Sequence, residues 1–293
     1  MEHPKIRIKE FKKLHNIALK ISPVGKRPTF TTTRTYFAEQ IFEKALLIAN
    51  SYIRLIPDFD KRDDHQCDFS TMATLSRNLI ELNHVYNYLC KDRLSKDELE
   101  FRVYLMGLHR SHETKNVLQK LSFSKDYIKE MFNISNMVCQ SVLKKNSYFN
   151  CLDKRIQKEL LKGKKAFYRN EPYHKHLLYE QGVESGLYKL FSNHIHSFQL
   201  GIQAQFFDRN TSPFNLISLC FLSTEAAITC YAWLLRSYIA LRWKRCKNVS
   251  DDEKSFVKHC SEKTQIKEWI EFQEKEFFSD RIRLKDMLTT VAD

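Results

Sequence analysis

Apolar side chains recur every three or four residues along most of this chain, which is the spacing of an amphipathic helix. The clearest stripe is formed by Leu75, Leu79, Leu82, Val85, Tyr86 and Leu89. Helix start signals accompany such stripes, because Ser95-Lys-Asp-Glu98 and Ser250-Asp-Asp-Glu253 are capping boxes and Asp68 suits an N-cap. The pattern predicts helices over residues 5–20, 36–56, 69–90, 95–118, 124–143, 177–198, 212–245 and 265–288.

Composition agrees with a helical protein. Only six glycines and six prolines occur in 293 residues. A sheet-rich protein would need many more of these residues for its turns. We therefore predict an all-α fold of eight to ten helices. The predicted main bundle covers residues 36–248. A basic N-terminal arm (1–35) and a C-terminal helical extension (249–293) are predicted to lie at its periphery.

A row of polar residues interrupts the apolar pattern of the predicted central helix. Tyr188, Ser192 and His196 recur every four residues and therefore share one face of that helix. Because an apolar helix does not require such a row in its middle, we take it as the polar centre of the molecule. Its predicted partner is an earlier helix, which carries Arg77, Asn78, Glu81 and His84.

These residue types suit acid–base chemistry. His196 would act as general acid or base near neutral pH, Arg77 would hold a phosphate or a developing oxyanion, and Glu81 would orient either group. Ser192 is a poor nucleophile, because a residue four positions before His196 on one helix does not reach it in the geometry of an attack. The alternative is a satisfied polar network that fixes the helix register.

The pair Arg77-Asn78, followed after five residues by His84, resembles the motif of the HEPN ribonucleases. In that family an arginine and an adjoining polar residue precede a histidine on a helix of a small bundle. Two copies of the motif meet across a dimer and cleave RNA without metal. The resemblance implies RNA as substrate and a homodimer. Arg102 and His109 have the same spacing, with Val103 in place of the polar neighbour.

A second resemblance extends over about residues 40–240. Ser76-Arg77-x-x-x-Glu81 with Tyr188-x-x-x-Ser192-x-x-x-His196 is similar to the signature of a family of uncharacterised bacterial helical proteins. That family has no established activity. The resemblance implies that Arg77, Glu81, Tyr188, Ser192 and His196 converge in one buried cluster.

The chain is strongly basic, with a formal net charge of +13. Such a charge attracts anionic partners, of which nucleic acid is the commonest. The alternative is a lysine-rich surface without a specific partner. The best local candidate for a phosphate-binding patch lies between Cys151 and Arg169, and its predicted contacts are Lys154, Lys158, Lys162, Lys164 and Lys165.

Eight cysteines are scattered without a Cys-x-x-Cys pair, and the first residues lack the apolar core of a signal peptide. We therefore expect reduced thiols and a cytoplasmic location. No metal or other cofactor is expected. His194 and His196 point to different sides of a helix and make a poor metal site.

The segment 216–235 is nearly long enough to cross a membrane. Its centre holds Glu225, which would cost about 2.5–3.5 kcal/mol in a bilayer. We predict a buried core helix in which Glu225 is paired or hydrogen-bonded and lines the polar centre.

Three functions follow from these features. The first is a HEPN-like, metal-independent ribonuclease of a bacterial defence or toxin system, with Arg77, Glu81, His84 and His196 in catalytic roles. The second is a non-catalytic helical adaptor that binds a protein or nucleic acid through its basic surface. The third, which the central Glu225 disfavours, is a membrane protein anchored through residues 216–235.

Overall fold

The computed structural model describes residues 4–22, 31–56, 68–91, 94–168, 181–195 and 216–275. These residues contain no strand, which confirms the all-α prediction for the described part of the chain. The helices are α1 (Pro4–Ile21), α2 (Thr33–Leu55), α3 (Phe69–Tyr86), α4 (Lys96–Lys120), α5 (Lys125–Lys145), α6 (Ser147–Asn150), α7 (Lys154–Leu160), α8 (Gln181–Ile195), α9 (Leu216–Leu241), α10 (Asp251–Glu262) and α11 (266–275).

The chain divides into two compact units. Unit 1 comprises Met1–Thr31, Ala38–Asn83 and Leu177–Asp293, and unit 2 comprises Thr32–Phe37 and His84–His176. We predicted one main bundle over 36–248 with peripheral segments on either side. The observed units have other boundaries, because the first and last segments of the chain contribute to unit 1 and the middle of the chain forms unit 2.

Helix α9 is the central helix of unit 1. Its side chains are buried on nearly all faces, as expected for a helix that is apolar all round. It packs against α10 and α1. By length and composition, Ser218–Leu241 is the one helix in the described residues that could cross a membrane. Within the protein, 89% of its apolar 18-residue stretch is buried. This burial is that of a core helix, as predicted.

Helix α1 packs into the core of unit 1. Phe11, Leu14, Ile17 and Ala18 lie on one face, and each is almost completely buried. The prediction of a peripheral basic arm therefore does not describe this helix. Lys9, Lys12, Lys13 and Lys20 of α1 are exposed, while its apolar stripe contacts the rest of unit 1.

The core of unit 2 lies mainly between α4 and α5, with α6 and α7 packed at its end. Its buried members are Phe101, Leu105, Leu108, Cys139, Leu143, Phe149 and Leu160. Gly163 closes α7 with φ of +72°, and an added Cβ there would lie 3.2 Å from the carbonyl oxygen of Leu108. Glycine therefore meets both the backbone and the space requirement.

The predicted helix starts are confirmed where they are described. Ser250 and Glu253 form a reciprocal capping box, and the Ser95 hydroxyl accepts the Glu98 N–H at 3.1 Å. The Asp68 carboxylate accepts the Thr71 N–H at 3.0 Å. The predicted starts at Ser212 and near residue 177 lie outside the described residues, as does the chain after residue 275.

Two helix ends differ from the prediction. The predicted helix 69–90 changes at Asn87–Lys91 into one π-helical turn, where Arg102 of α4 donates to the Tyr88 carbonyl oxygen at 2.6 Å. This bond engages a carbonyl near the helix end. Helix α9 ends at Leu241 rather than near Arg245, because the chain turns tightly there through the Arg245 N–H and the Arg242 carbonyl at 2.8 Å.

Candidate functional site

Three of the predicted site residues meet between α3 and α8 in unit 1. Arg77 Nη2 donates to the Tyr188 hydroxyl at 2.7 Å, and that hydroxyl donates to Glu81 Oε1 at 2.9 Å. Arg77 Nε lies 3.1 Å from Glu81 Oε1 as an ion pair, although it is not aligned for a hydrogen bond. The predicted convergence of Arg77, Glu81 and Tyr188 is confirmed. We call these residues the Arg77 cluster.

The Arg77 cluster is half open to solvent. The Arg77 side chain is 24% exposed and the Glu81 side chain 44% exposed, so the expectation of a buried cluster is wrong. The guanidinium carbon lies 4.6 Å from the centre of the Tyr188 ring, within the range of a cation–π contact. Burial and the hydrogen bond to Glu81 raise the pKa of Tyr188 above its usual value. Its phenol therefore stays neutral at pH 7.

The remaining members of the predicted row are not joined to this cluster. Ser192 donates to the Tyr188 carbonyl oxygen of its own helix at 2.7 Å, which occupies its only proton. His196 lies outside the described residues. Asn78 is half-buried on α3. His84 lies on α3 seven residues beyond Arg77, is half-buried, and is assigned to unit 2.

Glu225 is buried and paired, as predicted, but it does not line the Arg77 cluster. Arg7 Nε and Nη2 donate to its two carboxylate oxygens at 2.7 and 2.9 Å, a bidentate pair. The Gln265 N–H adds a third contact at 3.3 Å, and Glu10 also binds Arg7. The expectation that Glu225 belongs to the polar centre is therefore wrong, because Arg7 of α1 supplies its counter-charge.

The sequence did contain a signal for the Arg7–Glu225 pair. Arg7 is four residues before Phe11 and seven before Leu14, so it is the one cation on the apolar line of α1. Glu225 is the one acid of α9. A lone cation and a lone anion on two apolar faces predict each other as partners.

Further polar clusters of unit 1 were missed. The Tyr52 hydroxyl donates to Ser223 Oγ at 2.8 Å, and Ser76 Oγ lies 2.8 Å from the same atom. Ser76 thus contacts α9, although it precedes Arg77 in the motif. A second buried pair joins Glu39 to Arg242 at 2.5 Å and to Arg245 at 2.7 Å. All of these side chains bind other groups of the protein and connect its helices.

The predicted lysine patch lies in unit 2, on and after α7. Each of its predicted members is exposed: Lys154, Lys158, Lys162, Lys164 and Lys165. Glu159 lies among them and has a lowered pKa, mainly because Lys162 donates to it and secondly because Lys165 and Lys164 are near. Three of the five, Lys162, Lys164 and Lys165, therefore act on one small region of surface.

The second arginine–histidine pair with the HEPN spacing is structural. Arg102 is buried and binds Glu98 at 2.7 Å in addition to the Tyr88 carbonyl. His109 Nδ1 lies 3.0 Å from the Gly163 carbonyl oxygen. Both side chains hold α4 to its neighbours in unit 2, so the same spacing here does not make an open site.

The described cysteines are free thiols, and all but Cys151 are buried. The described residues contain no group of three side chains able to hold a metal ion. Comparison with protein-family models, with curated proteins and with solved structures gives no match to this chain. Both resemblances therefore stay predictions, and function has to be argued from the side chains themselves.

Proposed function

We propose that this chain is a HEPN-like, metal-independent endoribonuclease. The observation that carries this proposal is the Arg77 cluster: a guanidinium held in one orientation by Tyr188 and Glu81, with part of its surface exposed, on the helix that also carries His84. An arginine fixed in this way is preorganised to bind a phosphate.

Arg77 would bind the phosphate that is cleaved. Glu81 is 44% exposed and its carboxylate holds the guanidinium in place until an RNA phosphate arrives. Tyr188 is neutral, so it fixes both partners without adding negative charge next to the phosphate. The Arg77 guanidinium is therefore already oriented before the phosphate binds, so binding does not have to fix its orientation.

A histidine would carry the proton. RNA contains its own nucleophile in the 2′-hydroxyl, so a general base and a positive charge at the phosphate suffice for cleavage. His84, on α3, or His196 would take the proton of the 2′-hydroxyl. The protonated imidazole would then return it to the departing 5′-oxygen, which leaves a 2′,3′-cyclic phosphate.

The lysine patch of unit 2 supports an RNA substrate. Lys158 and Lys164 are exposed, and the pKa of Glu159 is lowered by a hydrogen bond from Lys162 and by the nearby charges of Lys165 and Lys164. Each lysine that neutralises a phosphate releases counterions, so RNA affinity should fall as salt concentration rises. Bacterial defence or toxin systems use such nucleases, and we place this chain in that class.

The test is cleavage of a fluorescent single-stranded RNA in EDTA. We expect wild-type activity and at least about a hundredfold loss in Arg77→Ala, since loss of one preorganised charge contact commonly has this effect. Arg77→Lys should recover only part of it, because lysine lacks the planar fork. His84→Ala and His196→Ala identify which histidine carries the proton.

Arg236→Ala is the matched control. Arg236 is another partly exposed arginine of unit 1, paired with Glu262 at 2.7 Å, so its loss removes the same charge. This variant should keep full activity. Equal losses in Arg77→Ala and Arg236→Ala would contradict a specific role for Arg77, and absence of RNA cleavage by the wild-type chain would refute the nuclease proposal.

One observation favours a second candidate, a non-catalytic adaptor. Ser192 and Glu81 are both engaged within the protein, as in a purely structural polar network. An adaptor would bind RNA or an acidic protein through the lysine patch. In that case Lys158→Glu with Lys164→Glu would weaken binding, and Arg77→Ala would leave binding unchanged.

A further inference from the structure

Helix α5 of unit 2 carries two apolar faces. Its inner face packs into the core of unit 2 through Cys139 and Leu143, and Ile128 on the same side is also buried. On a different face stands a second set of apolar side chains, each between 49% and 70% exposed: Tyr127, Met131, Ile134 and Val138. We call this second set the outer stripe.

The spacing of the outer stripe is that of a helix pairing surface. Its members follow at intervals of four, three and four residues, the a/d pattern of a coiled-coil seam. The helix has 21 residues and is therefore about 30 Å long. Phe123, whose ring centre lies 5.5 Å from that of Tyr127, and Leu121 extend the apolar surface at the start of the helix.

Charges are distributed unequally along this surface. Glu130 lies beside the stripe near its N-terminal end, with Asp126 one turn before it. At the other end, Lys145 follows Val138 by seven residues and continues the line of the stripe, while Lys144, fourteen residues after Glu130, lies on the same flank as Glu130. Lys129 lies on the opposite side of the helix. The seam is therefore acidic at one end and basic at the other.

We propose that the outer stripe binds the outer stripe of a second copy of this chain, with the two α5 helices antiparallel. In this arrangement Glu130 of each copy lies beside Lys144 of the other. The surface is then complementary to itself, as a two-fold interface requires. A parallel pair would instead place acid beside acid and lysine beside lysine.

This register defines the centre of the interface. Pairing residue 130 with residue 144 places the two-fold axis at residue 137, because that position is midway between them. Met137 occupies it and is 54% exposed, on the same flank of the stripe as Glu130. A flexible apolar side chain would thus contact its own copy at the axis.

The charges also argue against a membrane as the occupant. A helix that lies on a membrane surface carries lysine and arginine beside its apolar face. Here Asp126 and Glu130 occupy that place at one end of the stripe, and an anionic membrane surface would repel them. The proposal does not depend on the nuclease proposal, because α5 carries none of the residues assigned to the reaction.

The first test is the mass of the full chain by light scattering and sedimentation over a range of concentrations. We expect a species of twice the 35.0 kDa chain. Ile134→Glu should raise the dimer dissociation constant by about tenfold or more, because it places a charge in the seam. Leu47→Glu is the matched control, since Leu47 is an exposed leucine of α2 with 62% exposure, and it should leave the dimer intact.

The second test concerns orientation. Glu130→Lys and Lys144→Glu should each weaken the dimer, and the double variant should restore it, because the exchange keeps opposite charges facing each other. In a Cys151→Ser background, Met137→Cys should form a disulfide-linked dimer under mild oxidation. Lys129→Cys, on the opposite side of α5, should not.

Several outcomes would overturn the proposal. A wild-type monomer at all concentrations would do so, as would binding of the monomer to vesicles of anionic lipid through the outer stripe. A monomer that loses thermal stability on Ile134→Glu would show that another part of the same chain covers the stripe. A dimer unaffected by Ile134→Glu would place the interface elsewhere.

Discussion

Two arginine–carboxylate pairs of unit 1 differ in how much water reaches them. Arg7 and Glu225 are each 1% exposed and form a bidentate pair, whereas Arg77 and Glu81 are 24% and 44% exposed. The first pair lies between the core helices α1 and α9. If either charge lost its partner, it would be left in the core without water to solvate it. The second can exchange its partner for a phosphate. Residue types alone therefore do not distinguish a structural pair from a binding site, but solvent access does.

Breaking the buried pair should have the largest effect. Glu225→Ala leaves Arg7 in the core without its bidentate partner, and we expect a loss of about 3–5 kcal/mol in the free energy of unfolding. Urea denaturation followed by circular dichroism measures it. Arg7→Met combined with Glu225→Leu should recover most of the loss, because neither charge is then left alone. A urea midpoint of Glu225→Ala equal to that of the wild-type chain would contradict a stabilising role for the Arg7–Glu225 pair.

A buried histidine sharpens the comparison on a single helix. On α8, Tyr188 belongs to the open cluster, while His194 is 2% exposed and packs edge-to-face on Phe69, with ring centres 4.4 Å apart. Burial lowers the pKa of His194, and it also lowers the pKa of His15 on α1. Both imidazoles are therefore neutral in the folded protein at pH 7.

This predicts a stability that falls in mild acid. A lowered folded-state pKa means that the unfolded chain binds protons more readily, so stability is fully present above the unfolded value of 6.5 and declines as pH falls through the folded values. Urea midpoints at pH 7.5 and 5.5 measure the decline. It should be smaller in His194→Gln than in the wild-type chain. An identical decline in both would argue against His194 as a source.

Breaking the open pair should have the smallest effect on stability. Arg77→Ala and Glu81→Ala each remove a partly exposed i, i+4 pair, which is worth about 0.3–0.5 kcal/mol. Thermal denaturation should therefore hardly change in either variant, while RNA cleavage is lost in Arg77→Ala. A loss of several kcal/mol in Arg77→Ala would instead assign the Arg77 cluster to the core network and remove the main support for the nuclease.

The helices were predictable because their signals are local. Caps at Ser95 and Ser250 and the stripe on α3 depend on residues within four positions of each other. The need of Glu225 for a partner was predictable from one segment as well. Its partner Arg7 lies 218 residues away, so the only sequence signal for the pair is that each is the lone charge of its sign on an apolar face.

The division into two units could not be predicted. Two of its four boundaries, at residues 37/38 and 83/84, fall inside the continuous helices α2 and α3. No proline, glycine or polar loop marks either place, so a reading based on linkers necessarily misses them. The Arg77 cluster was only half predictable. Spacing places Arg77 and Glu81 on one face, but which helix they face depends on the tertiary fold.

The pairing of α1 with α9 also has a consequence for synthesis. Arg7 is made 218 residues before its partner Glu225. At bacterial or eukaryotic elongation rates of about 5–20 residues per second, roughly 10–45 seconds pass before the two can meet. During that interval the apolar face of α1 lacks its partner in the growing chain, whereas the long segment of unit 2 from His84 to His176 can be completed first. Helix α1 therefore packs against α9 only late in synthesis, and a change to the apolar face of α1 alters a late step of folding.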